Sequence, residues 1–357
     1  MRARGLGLPF PGRPGPNNAV TDVPGVLVGY QTLMTGRART GVTAILPRGF
    51  AHEVRPVWAG YHALNGNGEM TGTHWIEDAG YFCGPICLTN THSLGIAHHA
   101  VVRWMIGHYA REFASDHVWA MPVVAETYDG VLNDINAQHV TEADVLAAIQ
   151  DAKAGPVAEG NVGGGTGMIC YEFKGGTGTA SRVVASDAGD YTIGVLVQAN
   201  HGIRDWLTVL GVPLGTTMTE DRMFQRERGS IIVLVGTDAP MLPHQLRRIA
   251  KRASIGIGRT GTVGGNSSGD IFLAFSVAND IEMQHMRSGQ RQSLSFLPDD
   301  CFDPFYLATA QATEEAIVNA LVAAEDMTTI KPPGRICRAI DHAALRAAVA
   351  SRREKER

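Results

Sequence analysis

Hydrophobic residues in this chain fall into short blocks, β-branched or aromatic and bounded by Gly, Pro, Asn or Asp, while a few longer stretches repeat at helical spacing. The short blocks, at 26–30, 42–46, 168–173, 182–186, 193–198, 231–235 and 271–277, predict strands dense enough for at least one large sheet. Four stretches predict helices. Residues 99–113 repeat Val101, Trp104, Met105 and Tyr109, and 140–152 opens with Thr141 and Asp144 in capping-box spacing. Residues 243–253 start at Pro243 and collect Arg247, Arg248, Lys251 and Arg252 toward the end where the helix dipole is negative. Residues 304–327 are apolar on most faces, which predicts a helix packed between other elements. Strands and helices come in blocks without sustained βαβ alternation. The pattern therefore predicts an α/β (α+β) layered sandwich, with helices outside two mixed sheets, rather than a doubly wound parallel sheet.

Composition narrows the partners. The 357 residues suffice for a large core and allow one to three domains; 44% are hydrophobic and 18% charged, as in ordinary globular proteins. A net charge of −4 and a pI near 6.3, with a basic cluster only in the C-terminal tail, argue against nucleic acid as a partner. Arg2 and Arg4 lead into a Gly/Pro-rich stretch rather than an apolar targeting core, and no run of 18 uncharged apolar residues exists, so neither a signal peptide nor a membrane partner is expected. Five cysteines, an odd and sparse set, fit reduced thiols, and the cytoplasm is the default location. No metal is expected: Cys83 and Cys87 lack a second pair, and His98 and His99, adjacent, point to different faces beside His92. The run Gly256-Ile-Gly-Arg-Thr-Gly261 has dinucleotide-like spacing but follows a helix and leads into none, against that reading.

The chemistry centres on Gly229-Ser230, where the polar stretch 214–229 meets the apolar run Ile231-Ile-Val-Leu-Val235. By itself the dipeptide reads as a turn feeding a strand, and seven Gly-Thr pairs in the chain show how little a glycine before a hydroxyl means. If the chain cuts itself there, Ser230 carries a hydroxyl and a free α-amine, whose reference pKa of about 7.7–8.0 lets it accept the hydroxyl proton. One residue then supplies nucleophile and base. Asn200, ending an apolar run, is a turn former or a donor to an oxyanion. Ser267, Ser268 and Asp270 place hydroxyls and a carboxylate at the mouth of the 271–277 strand, where they could orient Ser230. Glu126 and Tyr128 put a carboxylate and a phenol at a turn, suited to a cationic group. His62, Trp75, Phe82 and Trp206 read as core aromatics before pocket walls.

The order of these pieces resembles the serine-nucleophile family of L-aminopeptidase D-Ala-esterase/amidase and the β-peptidyl aminopeptidases. The motifs that carry the resemblance are Asn65-Gly-Asn-Gly-Glu-Met-Thr-Gly72, Asn90-Thr-His-Ser93, Glu126-Thr-Tyr-Asp-Gly130, Asn161-Val-Gly-Gly-Gly-Thr-Gly167, Val197-Gln-Ala-Asn200, Gly229-Ser-Ile-Ile-Val233, Thr237-Asp-Ala-Pro240 and Ser268-Gly-Asp270. The resemblance implies a four-layer αββα fold similar to N-terminal nucleophile hydrolases but with different connectivity. It also implies one unit, 1–357, self-cleaved into α (1–229) and β (230–357) chains that assemble as a homotetramer of such pairs. Position by position, Ser230 resembles the nucleophile, Asn200 the oxyanion donor, Ser268 and Asp270 the orienting residues, Glu126 the ammonium receptor and Tyr128 a phenol lining the site. Asp270 is one methylene shorter than the Glu that some β-peptide-cleaving relatives carry there. The implied activity is release of N-terminal residues from short peptides, amides or esters without metal or organic cofactor. An acyltransferase with the same nucleophile and a non-catalytic binding protein are the alternatives.

Overall fold

Strand pairing distributes the hydrophobic blocks over two mixed sheets in a computed structural model that describes residues 1–115, 117–187, 189–281 and 291–355. The strands run β1 (Leu27–Thr35), β2 (Ala38–Leu46), β3 (Val57–Ala63), β4 (Tyr81–Phe82), β5 (Ile86–Asn90), β6 (Val123–Thr127), β7 (Ile169–Cys170), β8 (Phe173–Lys174), β9 (Gly176–Val184), β10 (Tyr191–Asn200), β11 (Ser230–Thr237), β12 (Ile271–Ser276), β13 (Met327–Thr328) and β14 (Ile336–Cys337). The larger helices are α1 (Thr73–Ala79), α2 (Leu94–His108), α3 (Ala110–Ser115), α4 (Glu142–Gln150), α5 (Pro243–Arg259), α6 (Asp303–Ala323) and α7 (His342–Lys355). One sheet has the order β1-β2-β5-β6, the other β4-β3-β12-β11-β10-β9. Each is antiparallel except for one parallel pair, β5 with β6 and β11 with β12.

Alternation along β11 shows why the sheets stack. Ile232 and Leu234 face the four-stranded sheet and pack with Val28, Ile45, Leu88 and Ala125. Ile231, Val233 and Val235 point the other way, onto Leu246, Ile249 and Ala253 of α5 and Ala312 and Ala316 of α6. The four-stranded sheet is likewise two-sided: Val42, Ala44, Cys87 and Val124 pack on Val101 and Met105 of α2 and Val145 and Ile149 of α4. A strand buried on both faces reads as a continuous apolar run, which is why 231–235 shows no polar alternation. The result is the expected αββα stack. Helix α6 is buried on nearly all sides because it lies on β9 and β10 and beside α5, and Gly178 of β9 lets it come close: a Cβ there would lie 2.0 Å from the Ala316 carbonyl.

Local predictions held unevenly. Thr141 and Asp144 form the expected reciprocal cap at the start of α4. The block 168–173 is not one strand: it breaks into β7 and β8, which pair through a turn whose central residues, Tyr171 (φ 52°) and Glu172 (φ 62°), are left-handed. Burial of Tyr171 against Thr260 and of Glu172 against Arg204 holds this costly conformation. The predicted 99–113 helix starts five residues earlier, at Leu94, and is interrupted at Tyr109. The Gly256–Gly261 run closes α5, where Gly256 packs on Thr313. Strands β3 and β5 lie in stretches for which the pattern predicted none. Among the described residues no helix is long and apolar enough to cross a membrane.

Candidate active site

Ser230, Asn200 and Asp270 meet because of strand direction. The parallel strands β11 and β12 begin at the same edge of their sheet, so Ser230 and Asp270 open neighbouring strands, and antiparallel β10 ends there with Asn200 opposite Ser230. The facing sheet delivers β6, with Glu126 near its end, to the same edge.

The Ser230 hydroxyl is buried and accepts a hydrogen bond from Gly269 N at 2.9 Å. Asp270 Oδ1 accepts from Ser268 Oγ at 2.5 Å and from Ile231 N, the residue after Ser230, at 3.2 Å. Burial pushes the Asp270 carboxyl up to about 6; the Glu227 carboxylate adds to the rise, and donors from Ser268, Ile231 and Asn65 oppose it. Ser268 is fully buried, whereas exposed Ser267 offers its carbonyl to Asn67 Nδ2 at 2.7 Å. Between these two serines, Ser268 holds the inward position.

The Asn200 amide is oriented from both sides: Oδ1 accepts from Ile169 N at 2.8 Å and Nδ2 donates to the Tyr128 carbonyl at 3.0 Å. Reversal of the amide would set donor against donor and acceptor against acceptor. Gly229 lies directly beside it. With φ at 118°, Gly229 occupies backbone space that L side chains rarely enter, and a Cβ would lie 1.8 Å from the Asn200 carbonyl oxygen and 3.1 Å from Nδ2. The Gly229-Ser230 linkage is therefore next to the Asn200 amide, whose Nδ2 carries a second N–H beyond the one donated to Tyr128.

Glu126 is buried, with Oε1 accepting from Glu69 N at 3.0 Å and Oε2 from the Thr91 hydroxyl. Burial raises its carboxyl above the usual range, against the pull of those two donors. The motifs around it are its scaffold. Asn90 caps the turn that carries Thr91 by accepting from His92 N (3.0 Å) and Ser93 N (3.1 Å). Asn65 and Asn67 bond the Gly265 and Ser267 carbonyls, tying the loop before Glu69 to the loop of Ser268 and Asp270. Gly68 sits between Gly269 and Glu126: its Cβ would be 3.2 Å from Gly269 Cα and 3.4 Å from Glu126 Oε1. The carboxylate is thus one glycine away from the backbone that touches Ser230.

Tyr128 is part-exposed at the site. Its carbonyl receives Asn200, while its ring, 44% exposed, folds over Gly130. Phe82 is buried between the sheets, whereas half-buried Trp75 packs edge-on to Tyr81 and exposed Trp119. The motif Thr237 to Pro240 lies at the far end of β11, roughly 23 Å of strand from Ser230, where Asp238 bonds Thr192 N at 2.7 Å.

Sequence reasoning missed two residues. Gln198 Nε2 reaches across the sheets to the Thr89 carbonyl (2.9 Å) and Thr127 Oγ1 (2.8 Å), fixing β10 against the strand that carries Glu126. Glu227 is buried within an otherwise exposed polar stretch, three residues before Ser230. Gln198 stands inside a motif already singled out, but no pattern marks Glu227.

Comparisons with known proteins identify the family. The family model of peptidase family S58 matches residues 18–333. The chain is 51% identical to β-peptidyl aminopeptidase BapA of Sphingosinicella microcystinivorans, over 97% of this chain and 91% of that protein. It resembles the solved L-aminopeptidase D-Ala-esterase/amidase of Ochrobactrum anthropi, described as a prototype serine aminopeptidase with a variant of the Ntn hydrolase fold, at a TM-score of 0.93 and 56% identity over 98% of both chains. A Burkholderia sp. β-aminopeptidase matches at a TM-score of 0.90 and 49% identity, over 98% of this chain and 99% of that one. The chain belongs to peptidase family S58 and is a serine aminopeptidase.

Proposed function

We propose that the chain cuts itself between Gly229 and Ser230, and that the freed Ser230 then removes N-terminal residues from short peptides, amino-acid amides or esters. The observation that carries this reading is the placement of the Ser230 hydroxyl at the start of a buried strand, held by Gly269 N and adjoined by Asp270 and the oriented amide of Asn200. In self-cleavage the Ser230 oxygen attacks the Gly229 carbonyl carbon. The spare N–H of Asn200 receives the developing oxyanion, the C–N bond breaks as the Ser230 nitrogen takes a proton, and Gly229 is left as an ester on Ser230. Water hydrolyses that ester and releases a carboxylate at Gly229 and the amine of Ser230.

Turnover repeats the chemistry on a substrate. The free amine of Ser230 accepts the hydroxyl proton as the oxygen attacks, then donates it to the leaving amine. Ser268 and Asp270 hold the Ser230 backbone in register and favour the ammonium form of its amine, and Asn200 serves the oxyanion, a role worth roughly 3–4 kcal/mol when preorganised. Glu126 receives the substrate ammonium; its burial makes the pairing selective for free amines. No metal or organic cofactor enters these steps. By the same reading the α and β pieces remain together, assemble as a homotetramer of pairs and work in the cytoplasm. The relatives' names extend the candidate substrates to D-alanine amides and esters and to β-peptides.

Denaturing mass spectrometry tests the first step: the wild-type protein should give two polypeptides, the second beginning at Ser230, and Ser230→Ala one. An intact chain that remains fully active overturns the proposal. Peptide p-nitroanilides with free or acetylated amines test the second, since acetylation should abolish hydrolysis.

A further inference from the structure

Glu227 breaks the pattern of the segment that precedes the cleavage bond. Its neighbours Gln225, Arg226 and Arg228 are exposed, yet its own side chain turns inward and is 8% exposed. One carboxylate oxygen, Oε1, accepts from Gly202 N at 3.0 Å and from Thr262 Oγ1 at 3.1 Å. The other, Oε2, is buried without a hydrogen-bond partner and lies against Gly265, whose Cβ would approach it to 1.6 Å. These contacts involve the two backbone segments that build the site: Gly202 follows Asn200 by two residues, and Gly265 accepts from Ser268 N at 2.9 Å at the base of the loop of Ser268 and Asp270. A carboxylate with one unpaired buried oxygen is costly. That cost implies a use for its placement.

We propose, building on the self-cleavage reading above, that Glu227 is a positioning residue for maturation: it clamps the segment before Gly229 to the Gly202 and Gly265 turns, so that the Gly229 carbonyl is presented to Ser230. Three residues of extended chain span about 10 Å, so a fixed Glu227 leaves the intervening Arg228 and Gly229 little freedom. Once the bond is cut, Glu227 belongs to the new C-terminus of the α chain while Ser230 begins the β chain. The clamp is then no longer covalently tied to the nucleophile, so turnover depends on it far less than cleavage does. Glu227 thus serves the precursor, whereas Glu126 serves the substrate.

The test follows the appearance of the two fragments by denaturing mass spectrometry in freshly translated full-length protein, alongside aminopeptidase turnover per cleaved chain. Glu227→Ala should slow cleavage at least tenfold and lower turnover per cleaved chain by far less. Glu227→Gln retains an acceptor for Gly202 N and Thr262 and should restore cleavage to within about threefold of wild type. Thr262→Val, which removes one clamp contact from the opposite side, should slow cleavage in the same direction and provides the comparison if Glu227→Ala fails to fold. Cleavage of Glu227→Ala or Thr262→Val at the wild-type rate overturns the clamp, as does equal slowing by Ala and Gln. Wild-type protein that never cleaves while remaining active instead defeats the underlying self-cleavage reading.

Discussion

The Ser268 hydroxyl and the Asp270 carboxylate meet at 2.5 Å beside Ser230, while Ser267 faces outward, so the two serines predict separable effects. Ser268→Ala should reduce kcat/KM by about 10²-fold or more, in the range of general acid–base contributions, and Ser267→Ala should change it less than threefold. Steady-state kinetics on one p-nitroanilide checks both. Glu126 gives a second prediction. In the proposed role it would make a charge-assisted bond to a substrate ammonium, so Glu126→Gln should lower kcat/KM for free-amine substrates about 10- to 100-fold, mainly through KM. Burial has raised the carboxyl's pKa, so it is neutralised earlier on acidification than an exposed Glu, and the wild-type KM should climb as pH falls while that of the variant stays flat. These positions were legible before the fold because serine, amide and carboxylate stand at strand ends. Glu227 was not: a single buried charge in a polar run carries no periodicity, and only the fold reveals that Gly202 and Thr262 turn toward it.

At the level of elements, the start of β11 is set by Gly229. Asn200 pairs with Ser230, and the Gly229 backbone runs against the Asn200 carbonyl at a φ of 118°. Gly229→Ala combines an unfavourable left-handed conformation, costing about 1–3 kcal/mol, with direct overlap. The expected outcome is displacement of the strand start: fragment formation should fall more than 100-fold while far-UV circular dichroism stays near wild type, because the rest of β11 keeps its ladder. Unchanged fragment formation would show that this conformation plays no part. Long elements were predictable from their hydrophobic runs: burial on both faces leaves β11 without a polar residue from Ile231 to Val235, and α6 is apolar enough to be recognised although it also buries Gln311, Glu314, Glu315 and Asn319. The hairpin of β7 and β8 was unreadable. Tyr171 and Glu172 are residues that seldom adopt positive φ, and tertiary contacts with Thr260 and Arg204 override their local preference.

The whole molecule carries a further titratable group inside its scaffold, Lys174 at the end of β8, which is fully buried. Its ammonium donates to the carbonyls of Gly175 (2.8 Å) and Gly165 (3.4 Å), and burial lowers its pKa to about 7 against the pull of Cys337, Cys170 and Asp129. Between pH 7 and 10.5 the unfolded chain holds this proton and the folded chain has lost it, so global stability rises with pH across that window. Neighbouring groups bound the usable range. Asp129, raised to about 7 by burial, holds a proton in the fold that the unfolded chain has released, and its opposing effect ends near neutrality. Burial raises four thiols, Cys83, Cys87, Cys170 and Cys337, three of them to about 12, so as pH approaches 9 the fold retains protons that the unfolded chain loses and stability declines again. Lysine therefore dominates between about pH 7.5 and 8.5, where its proton of difference, partly offset by the thiols, corresponds to about 0.5–1 kcal/mol per pH unit. Urea unfolding of the Ser230→Ala chain, which keeps a single polypeptide, should gain about that much between the two pH values. Adding Lys174→Met should abolish most of the gain, whatever it does to absolute stability through the two freed carbonyls. A slope that survives the substitution would assign the proton to another group and leave Lys174 charged within the core.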